Sequence, residues 1–187
     1  MQINPTLLAV IVIVVLVLIA LLVVYSRKRR SATLRQRFGK EYEIAVLQRG
    51  SEKAAENELE ARAKRVSRFN IRNLSAAERD RYAEHWRSVQ SRFVDDPKYA
   101  VIEADDTVTS LMAVRGYPMA DFEQRVADLS VDHPQLVQNY RAAHEIAVRH
   151  RQGQATTEDL RQAMIYYRSL FEELLNGHKG PGISEAA

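Results

Sequence analysis

The sequence predicts an all-α protein: a single N-terminal transmembrane helix followed by a compact multi-helix bundle. Three observations carry this. Residues 7–24 read LLAVIVIVVLVLIALLVV, eighteen apolar residues without a break. From Ala32 onward the apolar residues recur at helical spacing, and no stretch alternates as a half-buried strand does. The breaks between segments carry helix-start residues (Ser, Asp, Thr) and helix-stop residues (Gly, Pro).

Tyr25 extends the apolar run to residues 7–25. At ~1.5 Å per residue a helix of that length spans most of a ~30 Å hydrocarbon core and satisfies its own backbone hydrogen bonds there. Tyr25 suits an interfacial anchor. A cleaved signal peptide fits less well. Residues 1–6 carry no side-chain charge, the run exceeds the ~7–15 residues of such a segment, and no Ala-x-Ala site follows. Instead the basic juxtamembrane segment 26–31 follows, with Arg27, Lys28, Arg29 and Arg30. The positive-inside rule places a short 1–6 N-terminus outside and the rest of the chain in the cytoplasm. The expected location is the cytoplasmic (inner) membrane, with residues 7–25 in the bilayer and Arg27–Arg30 against anionic headgroups.

The chain has 27 Lys+Arg against 24 Asp+Glu. Without the four juxtamembrane basics, 23 basic residues remain, so the remainder is near neutral. A basic nucleic-acid-binding face has no support in that balance, and nucleic acid is not an expected partner. The absence of cysteine excludes disulfides.

The cytoplasmic helical domain is expected over 32–175, with about six helices. Residues 32–48 place Leu34, Phe38, Tyr42 and Ala45 near one face, and this segment can continue the membrane helix through Gly39. Residues 51–69 are rich in Ala, Glu, Lys and Arg, with a thin stripe of Ala55, Leu59 and Val66 and a solvated charged face. Ser75 and Glu78 form a capping-box signature. The helix they start carries Tyr82, Trp86, Val89 and Phe93, with Trp86 as a core anchor. Asp96 and Pro97 end it and begin the next, whose face is Val101, Ala104, Val108, Leu111 and Met112. Arg115-Gly116-Tyr117-Pro118 is a break, with Gly116 suited to a left-handed position. A short helix over about 119–129 pairs Phe122 with Val126. Thr156 and Asp159 box the last helix, which continues through Leu160, Met164, Tyr167 and Leu174. Residues 176–187 read as a disordered tail.

No motif for chemistry emerges. Metal sites want three or four convergent ligands, but the chain lacks cysteine, HExxH and the Glu-x-x-His pairs of di-iron bundles. GxSxG and phosphate-binding glycine loops are absent. Of the paired carboxylates, Asp95-Asp96 sits at a helix N-terminus, where Asp caps, and Asp105-Asp106 lies within a helix, facing solvent or meeting Arg; acid/base work would need burial and shifted pKa values. No catalytic, cofactor-binding or metal residue is assigned, and no cofactor is expected. The stretch 132–150 concentrates three of the five histidines. Counted from Pro134, His133 falls at the helix entry, His144 on the apolar stripe with Val137, Tyr140 and Val148, and His150 near the C-terminus. This spacing predicts a mostly buried His144 and no cluster of His133, His144 and a carboxylate.

Four segments, LRQRFGKEYEIAV, RSVQSRFVDDPKYAVIEAD, RGYPMADFEQRVADLSVDHPQLVQNYRAAHEIA and TTEDLRQAMIYYRSLFEELL, resemble a family of uncharacterised bacterial single-pass membrane proteins. The likeness covers about 34–175. It implies a bacterial origin and one helical cytoplasmic domain, and brings no activity, cofactor or catalytic residue.

The expected function is a non-catalytic scaffold or protein-interaction module at the cytoplasmic membrane face, holding an unknown protein partner or self-associating. Arg115, Tyr117, Phe122 and Arg125 are the candidate contacts, because the Gly-Tyr-Pro break can present them outside the bundle. The alternative is an enzyme or small-ligand-binding domain with a site near this break, using Arg115, Asp121, Asp132, His133 and His144 in a concave pocket.

Overall fold

The computed structural model describes residues 5–177, with side chains from Ile13 onward. Residues 1–4 and 178–187, within the expected N-terminus and tail, lie outside the described residues. The described residues are all-α and form eight helices. They are α1 (Pro5–Phe38), α2 (Lys40–Arg49), α3 (Glu52–Val66), α4 (Ala76–Asp95), α5 (Pro97–Val114), α6 (Phe122–Asp132), α7 (Pro134–Arg151) and α8 (Thr157–Asn176). The chain divides into two compact units, Met1–Leu59 and Glu60–Ala187, and the division falls inside α3.

In the first unit, α1 carries the apolar run and continues to Phe38. All side chains from Ile13 to Arg29 are exposed. Among the described residues no helix is long and apolar enough to cross a membrane. The side chains of residues 7–12, part of the expected span, lie outside that description. The expected continuation of this helix to Gln48 is corrected at Gly39. There φ is 52° and ψ is −126°, a backbone open essentially only to glycine, so the helix stops and α2 starts anew. Three polar contacts set α3 antiparallel to α1: Arg30 Nη2 to Asn57 at 2.9 Å, Ser31 Oγ to Glu56 at 2.5 Å and Arg35 Nη2 to Glu52 at 2.8 Å. Tyr42 OH donates to the same Glu56 at 3.1 Å. Leu34, Phe38, Tyr42, Ala45, Ala55 and Leu59 are buried.

The second unit is built around α8, which packs on α7, α5 and α4. The reason is its sequence: Leu160, Ala163, Met164, Tyr167, Leu170, Phe171 and Leu174 recur at three- and four-residue intervals and all are buried. The ends are set as the sequence predicts. Ser75 and Glu78 form a reciprocal capping box on α4, and Thr156 and Asp159 form one on α8. Asp96 accepts from Tyr99 N, with Pro97 at the first position of α5. The predicted short helix starts three residues late, at Phe122, because Asp121 takes the cap and accepts from Gln124 N. Trp86, predicted as a core anchor, is buried and stacks on Phe171 with ring centroids 4.5 Å apart.

Gly116 has φ 96°, and a Cβ placed there would lie 2.3 Å from Asn70 O. Glycine is therefore required for the 70–72 loop to cross the turn. Arg72 N then bonds Arg115 O at 2.9 Å.

Candidate functional site

Several candidate residues gather at one end of the second unit, where α5 finishes, α7 begins and α8 ends. Arg115 is buried and its Nη1 donates to Leu174 O at 2.7 Å. A guanidinium there satisfies a last-turn carbonyl and complements the negative end of the α8 dipole. Tyr117, also buried, donates from its hydroxyl to Asp132 Oδ2 at 3.3 Å. Burial first, and then the Asp132 charge, raises the Tyr117 pKa above the usual phenol range. His133 is 2% exposed, and its Nδ1 lies 3.2 Å from Glu173 Oε1. Burial lowers the His133 pKa, and the Glu173 carboxylate opposes that shift.

Arg115, Tyr117, Asp132 and His133 are thus brought to one end of the bundle, with Glu173 as an addition. Periodicity could not reveal Glu173, since it sits on α8, forty residues from its partner. Asp128 is a second residue missed by sequence reasoning. It is buried and accepts from Arg65 Nε and Nη2 at 2.8 and 2.5 Å and from Gln124 at 2.9 Å.

Asp121 and His144 stand apart from this group. Asp121 is spent as the α6 cap. His144 keeps a minor part of its surface exposed at the edge of the core, and its ring lies flat on Phe122, with centroids 3.6 Å apart. Phe122 in turn meets Tyr140 at 5.0 Å. Arg125 is half-buried, donating to Ala120 O at 2.8 Å and to Tyr140 OH at 3.3 Å. Arg115 and Tyr117 therefore face inward, where the sequence suggested outward contacts. The Gly116 turn directs both side chains into the bundle.

Chemically, His133 and Glu173 have the form of an oriented imidazole–carboxylate pair. The groups around them act as structural ties between helix ends. Among the described residues no group of three or more His, Asp or Glu is arranged to hold a metal ion. An open groove of about 390 Å³ lies elsewhere, between α7 and α8, lined by residues that include Glu145, Ile146, Arg149, Asp159 and Tyr166. Arg149 and Asp159 pair across it at 3.3 Å.

At the N-terminal end, Arg27, Lys28 and Arg29 are exposed, and the Arg29 guanidinium sits 5.5 Å from the Tyr25 ring centroid. Arg30 turns to Asn57 instead. Comparison with protein-family models, with curated proteins and with solved structures finds no match to this chain.

Proposed function

We propose that this protein is a single-pass, membrane-anchored helical module acting as a non-catalytic scaffold or interaction platform at the cytoplasmic face of the inner membrane. One observation carries the anchor. Every large apolar side chain from Ile13 to Tyr25 is 43–66% exposed, on all sides of α1. An apolar surface of that extent in water is strongly unfavourable, at roughly 25 cal/mol per Å². Lipid is the cover that suits a helix apolar on every face, and residues 7–12 extend the same run in the sequence. Arg27, Lys28 and Arg29 then meet anionic headgroups, while Arg30 ties α1 to α3. The resemblance to uncharacterised bacterial single-pass proteins belongs to the same proposal. The scaffold role rests on the second unit: its candidate polar residues knit helix ends together, which suits a rigid body that presents a surface.

Alkaline extraction of native membranes tests the anchor. The full-length chain is expected to stay in the membrane pellet, and Leu16→Arg with Ile19→Arg to release it, since each charge near a helix centre costs about 2.5–3.5 kcal/mol on insertion. A wild-type chain washed off by alkali refutes the anchor. For the scaffold role, crosslinking in those membranes followed by affinity capture is expected to return one reproducible protein partner or a dimer. Monomer alone, at native abundance, speaks against it.

A further inference from the structure

In the second unit, α5 and α8 each expose an isoleucine in mid-helix, and the two differ in what surrounds it. On α8, Ile165 is 45% exposed between Arg161 and Arg168. Each of these arginines already pairs along its own helix, with Glu158 at 2.5 Å and with Glu172 at 2.7 Å. On α5, Ile102 is 40% exposed and Tyr99, one turn before it, is 51% exposed. Lys98 stands four residues before Ile102 and Asp106 four residues after it, so the three share one stripe of the helix. Both charged residues are exposed, and among the described residues neither has an ion pair or a side-chain hydrogen bond. Tyr99 is already set in place. The Arg92 guanidinium lies 5.3 Å from its ring centroid and is itself held by Glu103 at 2.6 Å.

We propose that the Lys98–Ile102–Asp106 face of α5 is a self-association surface, on which α5 of a second copy of this chain packs antiparallel about a two-fold axis at Ile102. This rests on the self-association arm of the scaffold reading above. The charge pattern selects the occupant. A two-fold contact joins a surface to itself, so the surface must be its own complement. Lys98 and Asp106 lie equally far from Ile102, so an antiparallel copy centred there sets each free charge against its opposite. A parallel pairing would set like charges together. Ile102 then meets Ile102, and Tyr99 flanks the pair on each side. A strongly basic or strongly acidic partner suits the face less, because it carries one free charge of each sign. The apolar centre is only two side chains, small against the roughly 800 Å² per partner of a standard interface. Holding both copies in one membrane supplies the missing affinity as effective concentration, as a linker does. The contact therefore forms in the membrane rather than between chains diluted in detergent.

The chain has no cysteine, so one introduced thiol reports on its own copy. Full-length Ile102→Cys in native membranes is expected to give a homodimer with a short bismaleimide crosslinker, and Ile165→Cys to give none. In the Ile102→Cys background, Lys98→Glu or Asp106→Lys alone is expected to cut the yield roughly fivefold, since two symmetry-related pairs turn repulsive at once. The two exchanges together reverse both signs and restore the yield, which contact with any other occupant would not do. These positions are exposed, and unchanged Trp86 fluorescence checks that each variant keeps the fold. No homodimer through Ile102→Cys, a stronger one through Ile165→Cys, a product with a different protein, or a double exchange that stays low overturns the proposal. Capture of a partner by the wild-type chain does not depend on position 102, so the scaffold reading survives any of these failures.

Discussion

Replacing Gly116 with alanine tests how tightly the second unit is fixed at the end of α5. The new Cβ would stand 2.3 Å from Asn70 O and 3.0 Å from Asn70 C, both backbone atoms that cannot rotate away. The left-handed φ of 96° adds strain of about 1–2 kcal/mol for a residue with a side chain. Relief requires the 70–72 loop to move, which breaks the bond from Arg72 N to Arg115 O, a loss of about 0.5–1.5 kcal/mol. With some loss of packing by Ile71 and Leu74, the total is ~2–4 kcal/mol. For a body of this size that lowers Tm by roughly 10 °C. The fluorescence of Trp86, the chain's single tryptophan, follows unfolding of this unit in mild detergent. Gly153→Ala is the control: φ is 73° there, but nothing lies within 4 Å of the added Cβ, so only the conformational strain applies. Equal losses for the two variants would refute the claim that the Asn70 contact makes Gly116 obligatory.

Three further outcomes follow from the packing and the charges. Trp86→Ala is expected to cost about 3–5 kcal/mol, since it removes a buried ring stacked on Phe171, and denaturant titration by circular dichroism checks it. His133→Gln is expected to flatten the acid side of the stability profile. Burial holds the folded-state pKa of His133 below the ordinary ~6.5, so the unfolded chain takes up the proton first. Its contribution is full above ~6.5 and is lost as pH falls from there toward the folded value. Wild-type Tm should therefore drop more than that of the variant between neutral and mildly acidic pH, and parallel curves contradict this. Ser75→Ala is expected to cost about 1 kcal/mol by opening the α4 capping box, read as a shift in the urea midpoint at constant slope.

Much of the fold was legible because its signals are local. The boxes at Ser75–Glu78 and Thr156–Asp159 and the Asp96-Pro97 junction each lie within four residues, and each forms as expected. The core stripe of α8 follows from its own spacing. The break at Gly39 was visible as a residue but not as a conformation, because a glycine inside a helical pattern is equally consistent with a weak continuous helix. The gathering of polar residues was harder. Arg115 reaches Leu174 across 59 positions and His133 reaches Glu173 across 40, and no periodicity links such pairs. His144 was placed on the correct stripe, but its stacking partner Phe122 arrives from another helix, which its own spacing does not show.

The position of α8 has a consequence for timing. It is the last described helix to leave the ribosome, yet it supplies the surface on which α4, α5 and α7 pack. Until it emerges, buried groups such as Val89, Val108, Leu111 and Tyr140 lack part of their cover. The second unit therefore completes its core after synthesis of the helices around it, with a sticky intermediate in the interval. Arg115 waits through the same interval for Leu174 O, so a donor made early meets its acceptor carbonyl late. A chain cut short before Thr157 would leave that interior open for good, and aggregation or proteolysis, rather than a smaller stable bundle, is its expected fate.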